Sequence, residues 1–101
     1  MSADLVDRLL SLLGADAVLG LGEPTHGSAN AFAWKLELIH ELTRRGLLAM
    51  LAFEESFTVG LEVDSALRGD GDLGTAWDQG SSIWNTVTIR AGLRALQRIT
   101  A

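Results

Sequence analysis

Cysteine is absent from this chain of 101 residues, proline occurs once and histidine only twice. Without cysteine there is no disulfide, no thiolate nucleophile and no cysteine-based metal site. Basic residues are also few, because 8 lysines and arginines stand against 13 aspartates and glutamates and leave a formal charge of −5. Surfaces that bind nucleic acid or anionic membranes need clustered lysine and arginine, so we expect neither partner.

Long apolar runs are missing as well. The longest, residues 47–53, is far shorter than the roughly 20 residues that cross a bilayer. Near the start of the chain, Asp4, Asp7 and Arg8 interrupt what would have to be the apolar core of a signal peptide. With 48% apolar and 21% charged residues, the composition is that of a folded globular protein. We therefore expect a cytoplasmic protein.

Hydrophobic spacing predicts up to five helices. The first is capped by Ser2 or Asp4 and runs to about Leu13. The second begins after Ser28 and ends at Arg45 before Gly46. The remaining helices are predicted over residues 58–67, over residues 73–78 and from Thr86 onward.

Two apolar runs, residues 17–21 and 47–53, predict buried β-strands. A strand, a helix and a second strand in this order form a right-handed βαβ unit. The sequence therefore predicts an α/β fold with a parallel-strand core flanked by helices. Two parallel strands make a poor sheet on their own, so we interpret residues 1–101 as the N-terminal portion of a larger α/β domain.

Polar side chains follow both predicted strands. Glu23 and His26 come after the first strand, and Glu54 and Glu55 come directly after the second. Because ligands bind outside the carboxyl ends of parallel strands, we expect these groups to share one edge. His26 precedes a helix, whose N-terminal field favours a neutral imidazole that accepts a proton from water. The alternative is structural: His26 bonds only to turn backbone and Glu23 only caps the helix.

Sequence motifs in both regions resemble those of one enzyme family. Residues 19–28 contain Gly-Glu-Pro-Thr-His-Gly at positions 22–27, and residues 51–56 read Leu-Ala-Phe-Glu-Glu-Ser. Further along, residues 83–86 read Ile-Trp-Asn-Thr. In this order the three segments resemble the erythromycin esterase family, whose fold is a parallel-centred α/β domain.

The resemblance implies a hydrolase that opens the lactone ester of macrolide antibiotics, and so confers antibiotic resistance, or that cleaves another small-molecule ester. It implies that His26 activates water with the help of Glu23 and Glu54, without a cofactor. Lys35 matches a basic position that holds substrate, and we expect Trp84 and Glu55 to contribute to substrate binding.

Two alternatives stand beside this hypothesis. The same His26, Glu23 and Glu54 are suitable ligands for a divalent ion, which would generate hydroxide in a metal-assisted hydrolase. In the second alternative, the chain is a catalytically inactive interaction module, and its incomplete sheet leaves an apolar edge for self-association.

Overall fold

A computed structural model describes residues 2–14, 16–22, 29–80 and 86–100, and over these ranges the chain forms five α-helices. They lie close to the predicted positions. In chain order the helices are α1 (Ala3–Leu12), α2 (Ala29–Arg44), α3 (Phe57–Leu67), α4 (Leu73–Asp78) and α5 (Val87–Thr100). Over the described residues, none of them combines the length and the apolar character that a membrane span requires.

Most of these helices begin at a short polar residue whose side chain accepts a hydrogen bond from an unpaired backbone N–H group. Ser2 Oγ accepts from the N–H of Leu5 at 3.3 Å, which confirms one of the two predicted caps of α1. Thr86 Oγ1 accepts from Ile89 N–H at 3.2 Å, as predicted for α5. After the C-terminal end of α2, Gly46 has φ +69°, a conformation that glycine adopts without strain.

The predicted α/β fold is wrong for the described residues, which contain no β-strand. The two apolar runs, residues 17–21 and 47–53, have no regular secondary structure. Val18 is 95% exposed and Met50 81% exposed, whereas a strand inside a parallel sheet is covered on both faces. Because the described part of the chain offers these two runs no strand to pair with, packing on the helices decides where their side chains lie.

The inward-facing side chains of these runs pack on α2. Leu21 and Leu48 contact both the cluster formed by α1 and α2 and the cluster around Leu36 and Leu96. Since no sheet is present among the described residues, the sheet edge predicted for self-association is absent there too. The sequence also predicts that residues 1–101 are the N-terminal portion of a larger domain. This stays a prediction, but its α/β part is wrong for the described residues.

Helix α2 contributes to all three clusters of the hydrophobic core. Leu38 and Leu42 pack with Val6 of α1, and Leu36 packs with Leu96 of α5. Phe32 joins the largest cluster, which also holds buried residues of α3, α4 and α5. Because α2 is central to the core, residues on its successive turns position the site described below.

Candidate functional site

A cavity of about 330 Å³ lies against α2, α5 and the two irregular apolar segments. This volume is at the lower end of the range for small-molecule sites, roughly 300–1,000 Å³. Phe32, Leu36 and Ile39 line it from α2, and Ile89 lines it from α5. Apolar side chains therefore form most of the described wall. The irregular segments complete it with Leu21, Gly22 and residues 51–54.

Two of the predicted site residues, Lys35 and Glu54, line this cavity. Gly22, which directly precedes Glu23 in the sequence, lines it as well. The ends of the two apolar segments therefore meet at one cavity, although no sheet among the described residues brings them together. Glu23 and His26, the other two predicted catalytic residues, lie outside the described residues, as does the predicted substrate-binding residue Trp84.

Glu55 has different surroundings from Glu54. Its Oε1 accepts a hydrogen bond from the N–H of Ser56 at 2.8 Å. Its Oε2 approaches Gly80 so closely that a Cβ at that glycine would lie 3.0 Å from it. Glu55 is thus directed toward the end of α4 and does not line the cavity. Its predicted role in substrate binding stays a prediction.

Lys35 brings a positive charge to an otherwise apolar side of the cavity. Its Nζ lies 5.2 Å from the centroid of the Phe32 ring, within the range of a cation–π contact. Phe32 is 6% exposed and belongs to the core, so the ring is a fixed platform for the ammonium. With Glu54 on the same lining, the cavity presents an apolar interior and charges of both signs.

Phe53 connects the cavity to the largest core cluster. It lines the cavity, and its ring meets Trp77 edge to face with centroids 5.5 Å apart and planes 68° apart. Trp77 is only 3% exposed and lies behind Phe53. Phe53, and not Trp77, therefore lines this cavity.

Helix α5 is the wall that the sequence did not predict. Ile89 is 1% exposed and lines the cavity together with residues of α2. A signal in the sequence was Gly92 within the predicted last helix, because a buried helical glycine permits a second helix to approach closely. In the structure, Gly92 lies directly against Leu36 of α2.

Within the described ranges, no group of three or more histidine, aspartate or glutamate side chains is arranged to hold a metal ion. The metal-ligand set predicted from the sequence includes His26 and Glu23, which lie outside those ranges. Metal-assisted chemistry therefore stays a prediction.

No family model, curated protein or solved structure matches the chain. The resemblance to erythromycin esterases thus depends on the motif residues alone.

Proposed function

We propose that the chain is an erythromycin esterase-like hydrolase that cleaves a carboxylic ester of a small molecule, with water activated by His26. The observation that supports this proposal is the cavity itself. Glu54 lines it, and so does Gly22, the first residue of the Gly-Glu-Pro-Thr-His-Gly motif. Two segments far apart in the sequence, each ending in residues suited to hydrolysis, therefore flank one apolar cavity. In this proposal the enzyme acts in the cytoplasm.

The chemistry assigns one role to each group. His26 accepts a proton from water as the oxygen attacks the carbonyl carbon, and later gives that proton to the leaving alcohol. Glu54 and Glu23 stabilise the imidazolium and favour the required tautomer. The tetrahedral oxyanion needs hydrogen-bond donors, for which the backbone N–H groups of Gly27 and Ser28 are candidates. Lys35 binds the polar end of the substrate.

The apolar lining supports an ester rather than a highly charged substrate. Phe32, Leu36 and Ile89 are each 8% exposed or less and surround the space with hydrocarbon. A phosphate or a sugar acid placed there would lose hydration without enough polar partners. The lactone ring of a macrolide, the substrate implied by the resemblance, has an uncharged ester group and a large apolar surface.

The test is hydrolysis of short-chain p-nitrophenyl esters and of a macrolide lactone by the purified chain. We expect His26→Ala to lower turnover by about 100-fold or more, the usual contribution of a general base. Added imidazole should recover part of the lost rate. The control is Glu37→Gln, which removes an exposed carboxylate from the helix that carries Lys35. Turnover that is unchanged in His26→Ala would exclude the mechanism.

A chelation experiment separates this mechanism from metal-assisted hydrolysis. If His26 acts as a base, turnover persists after exhaustive dialysis against EDTA, with no transition metal detected by elemental analysis. Loss of turnover on dialysis, with recovery on adding a divalent ion, would instead assign His26, Glu23 and Glu54 as ligands.

A second candidate function, an interaction module, is favoured by apolar side chains that face solvent. Val18 is 95%, Met50 81% and Leu47 55% exposed, all within the two irregular segments. Sedimentation equilibrium tests self-association through them. A concentration-dependent dimer that Val18→Lys and Met50→Lys abolish would support this function, and a monomer at all concentrations would exclude self-association.

A further inference from the structure

One wall of the cavity depends on a close contact between α2 and α5. Gly92 of α5 is buried, and a Cβ at this position would lie 2.5 Å from Cδ1 and 2.6 Å from Cδ2 of Leu36. Carbon atoms in contact normally lie about 3.5–4.0 Å apart. Leu36 can therefore keep its position only because residue 92 is glycine. Leu36 is itself 8% exposed and lines the cavity.

A hydrogen bond fixes the two helices at this level. His40 lies one turn after Leu36 on α2, and its Nε2 donates to the carbonyl oxygen of Gly92 at 2.9 Å. Packing and hydrogen bonding thus act on the same residue of α5. The helices cannot slide past each other without breaking both contacts, so a larger side chain at position 92 must be accommodated by moving Leu36.

We propose that the cavity binds the apolar chain of the substrate and that Leu36, in contact with Gly92, sets the length of chain that it accepts. The identity of the site depends on the proposed hydrolase function, whereas the ligand class follows from the lining. The volume of 330 Å³ corresponds to about ten water molecules of liquid. A space of this size accommodates a chain of several methylene groups.

The surroundings of Leu36 determine where its side chain moves when residue 92 is enlarged. Leu36 packs against Leu96 of α5 in the core, while the cavity that Leu36 also lines is open space. A methyl group at position 92 therefore displaces Leu36 into the cavity and shortens the chain that fits. Truncating Leu36 has the opposite effect and lengthens the site.

Binding of linear primary alcohols, from butanol to decanol, tests this proposal by calorimetry. Alcohols carry no ester, so their binding is independent of hydrolysis. For the unmodified protein we expect affinity to rise about fourfold per methylene up to a limiting length. Gly92→Ala should lower that limit by one or two methylenes, and Leu36→Ala should raise it. The double variant should return toward the original limit.

The chain offers a matched control in Gly60→Ala. Gly60 also lies within a helix, but it is exposed and a Cβ there would meet nothing within 4 Å. We expect its series of affinities to match that of the unmodified protein. If Gly92→Ala does not fold, Leu36→Ala and the double variant still decide the question through their limiting lengths.

Several results would overturn the proposal: no binding of any alcohol, or a limiting length that is the same in Leu36→Ala and the unmodified protein. A Gly92→Ala variant that folds and keeps the original limit would do the same. Failure of the hydrolase proposal looks different. In that case the limiting alcohol length still changes with the substitutions at positions 36 and 92 as expected, while ester turnover is absent or insensitive to His26→Ala.

Discussion

Replacing Met50 distinguishes the helical structure from the α/β fold that the sequence predicts. Met50 lies in the apolar run of residues 47–53 and is 81% exposed. Only about a fifth of its surface is removed from water, and full burial of a methionine contributes about 1.5–3 kcal/mol. Met50→Ala should therefore lower the free energy of unfolding by no more than about 0.5 kcal/mol. In a strand covered on both faces, the same change would cost about 2–5 kcal/mol.

Urea unfolding followed by circular dichroism at 222 nm measures this difference. Leu38→Ala is the positive control, because Leu38 of α2 is 1% exposed and packs in one cluster with Val6 of α1. We expect Leu38→Ala to lower the free energy of unfolding by about 2–5 kcal/mol. A loss of 2 kcal/mol or more in Met50→Ala, with an unchanged denaturant slope, would show that residue 50 is buried and that the helical packing described above is wrong.

Three further predictions concern single side chains. Hydrogen bonds from the side chain and the backbone N–H of Thr75, with the nearby charges of Arg94 and Arg90, lower the pKa of Asp72. Asp72 therefore stabilises the fold above the pKa of unfolded aspartate and loses this effect as pH falls through its folded pKa. Asp72→Asn should lower the melting temperature at pH 7, and the difference between the two proteins should shrink as the pH falls below the ordinary pKa of aspartate. His40→Ala should lower the free energy of unfolding by about 1–2 kcal/mol in urea titrations, because it leaves the Gly92 carbonyl oxygen without this donor; ester turnover should persist, unlike in His26→Ala. Lys35→Met keeps an apolar stem beside Phe32 but removes the charge, and steady-state kinetics should show a higher KM with kcat changed by less than about threefold.

Helices could be predicted from the sequence because their signals are local. Ser2 and Thr86 cap the helices that follow them, and Gly46 ends α2 in a left-handed conformation. The apolar runs could not be assigned in this way. A short run with no alternation has the same pattern in a buried strand and in an irregular segment packed on a helix. Pairing partners decide between the two, and those depend on the whole fold.

Part of the candidate site could be predicted, because some of its residues belong to local sequence motifs. Glu54 and Lys35 line one cavity, and both belong to segments that sequence motifs identify. The contribution of Ile89 and the close contact of Gly92 with Leu36 arise from packing between α2 and α5. These helices are separated by more than 40 residues, so a local signal such as Gly92 does not identify which residue of α2 it contacts.

A double-mutant cycle on ester hydrolysis asks whether His26 and Glu54 work as one unit. It compares kcat/KM for the unmodified protein, His26→Ala, Glu54→Gln and the double variant on the same p-nitrophenyl ester. If Glu54 acts through the imidazole, the double variant is no slower than His26→Ala alone, because Glu54 has no imidazolium left to stabilise. Multiplicative losses in the double variant would mean that the two residues act independently, which would contradict the proposed action of Glu54 through the imidazole of His26.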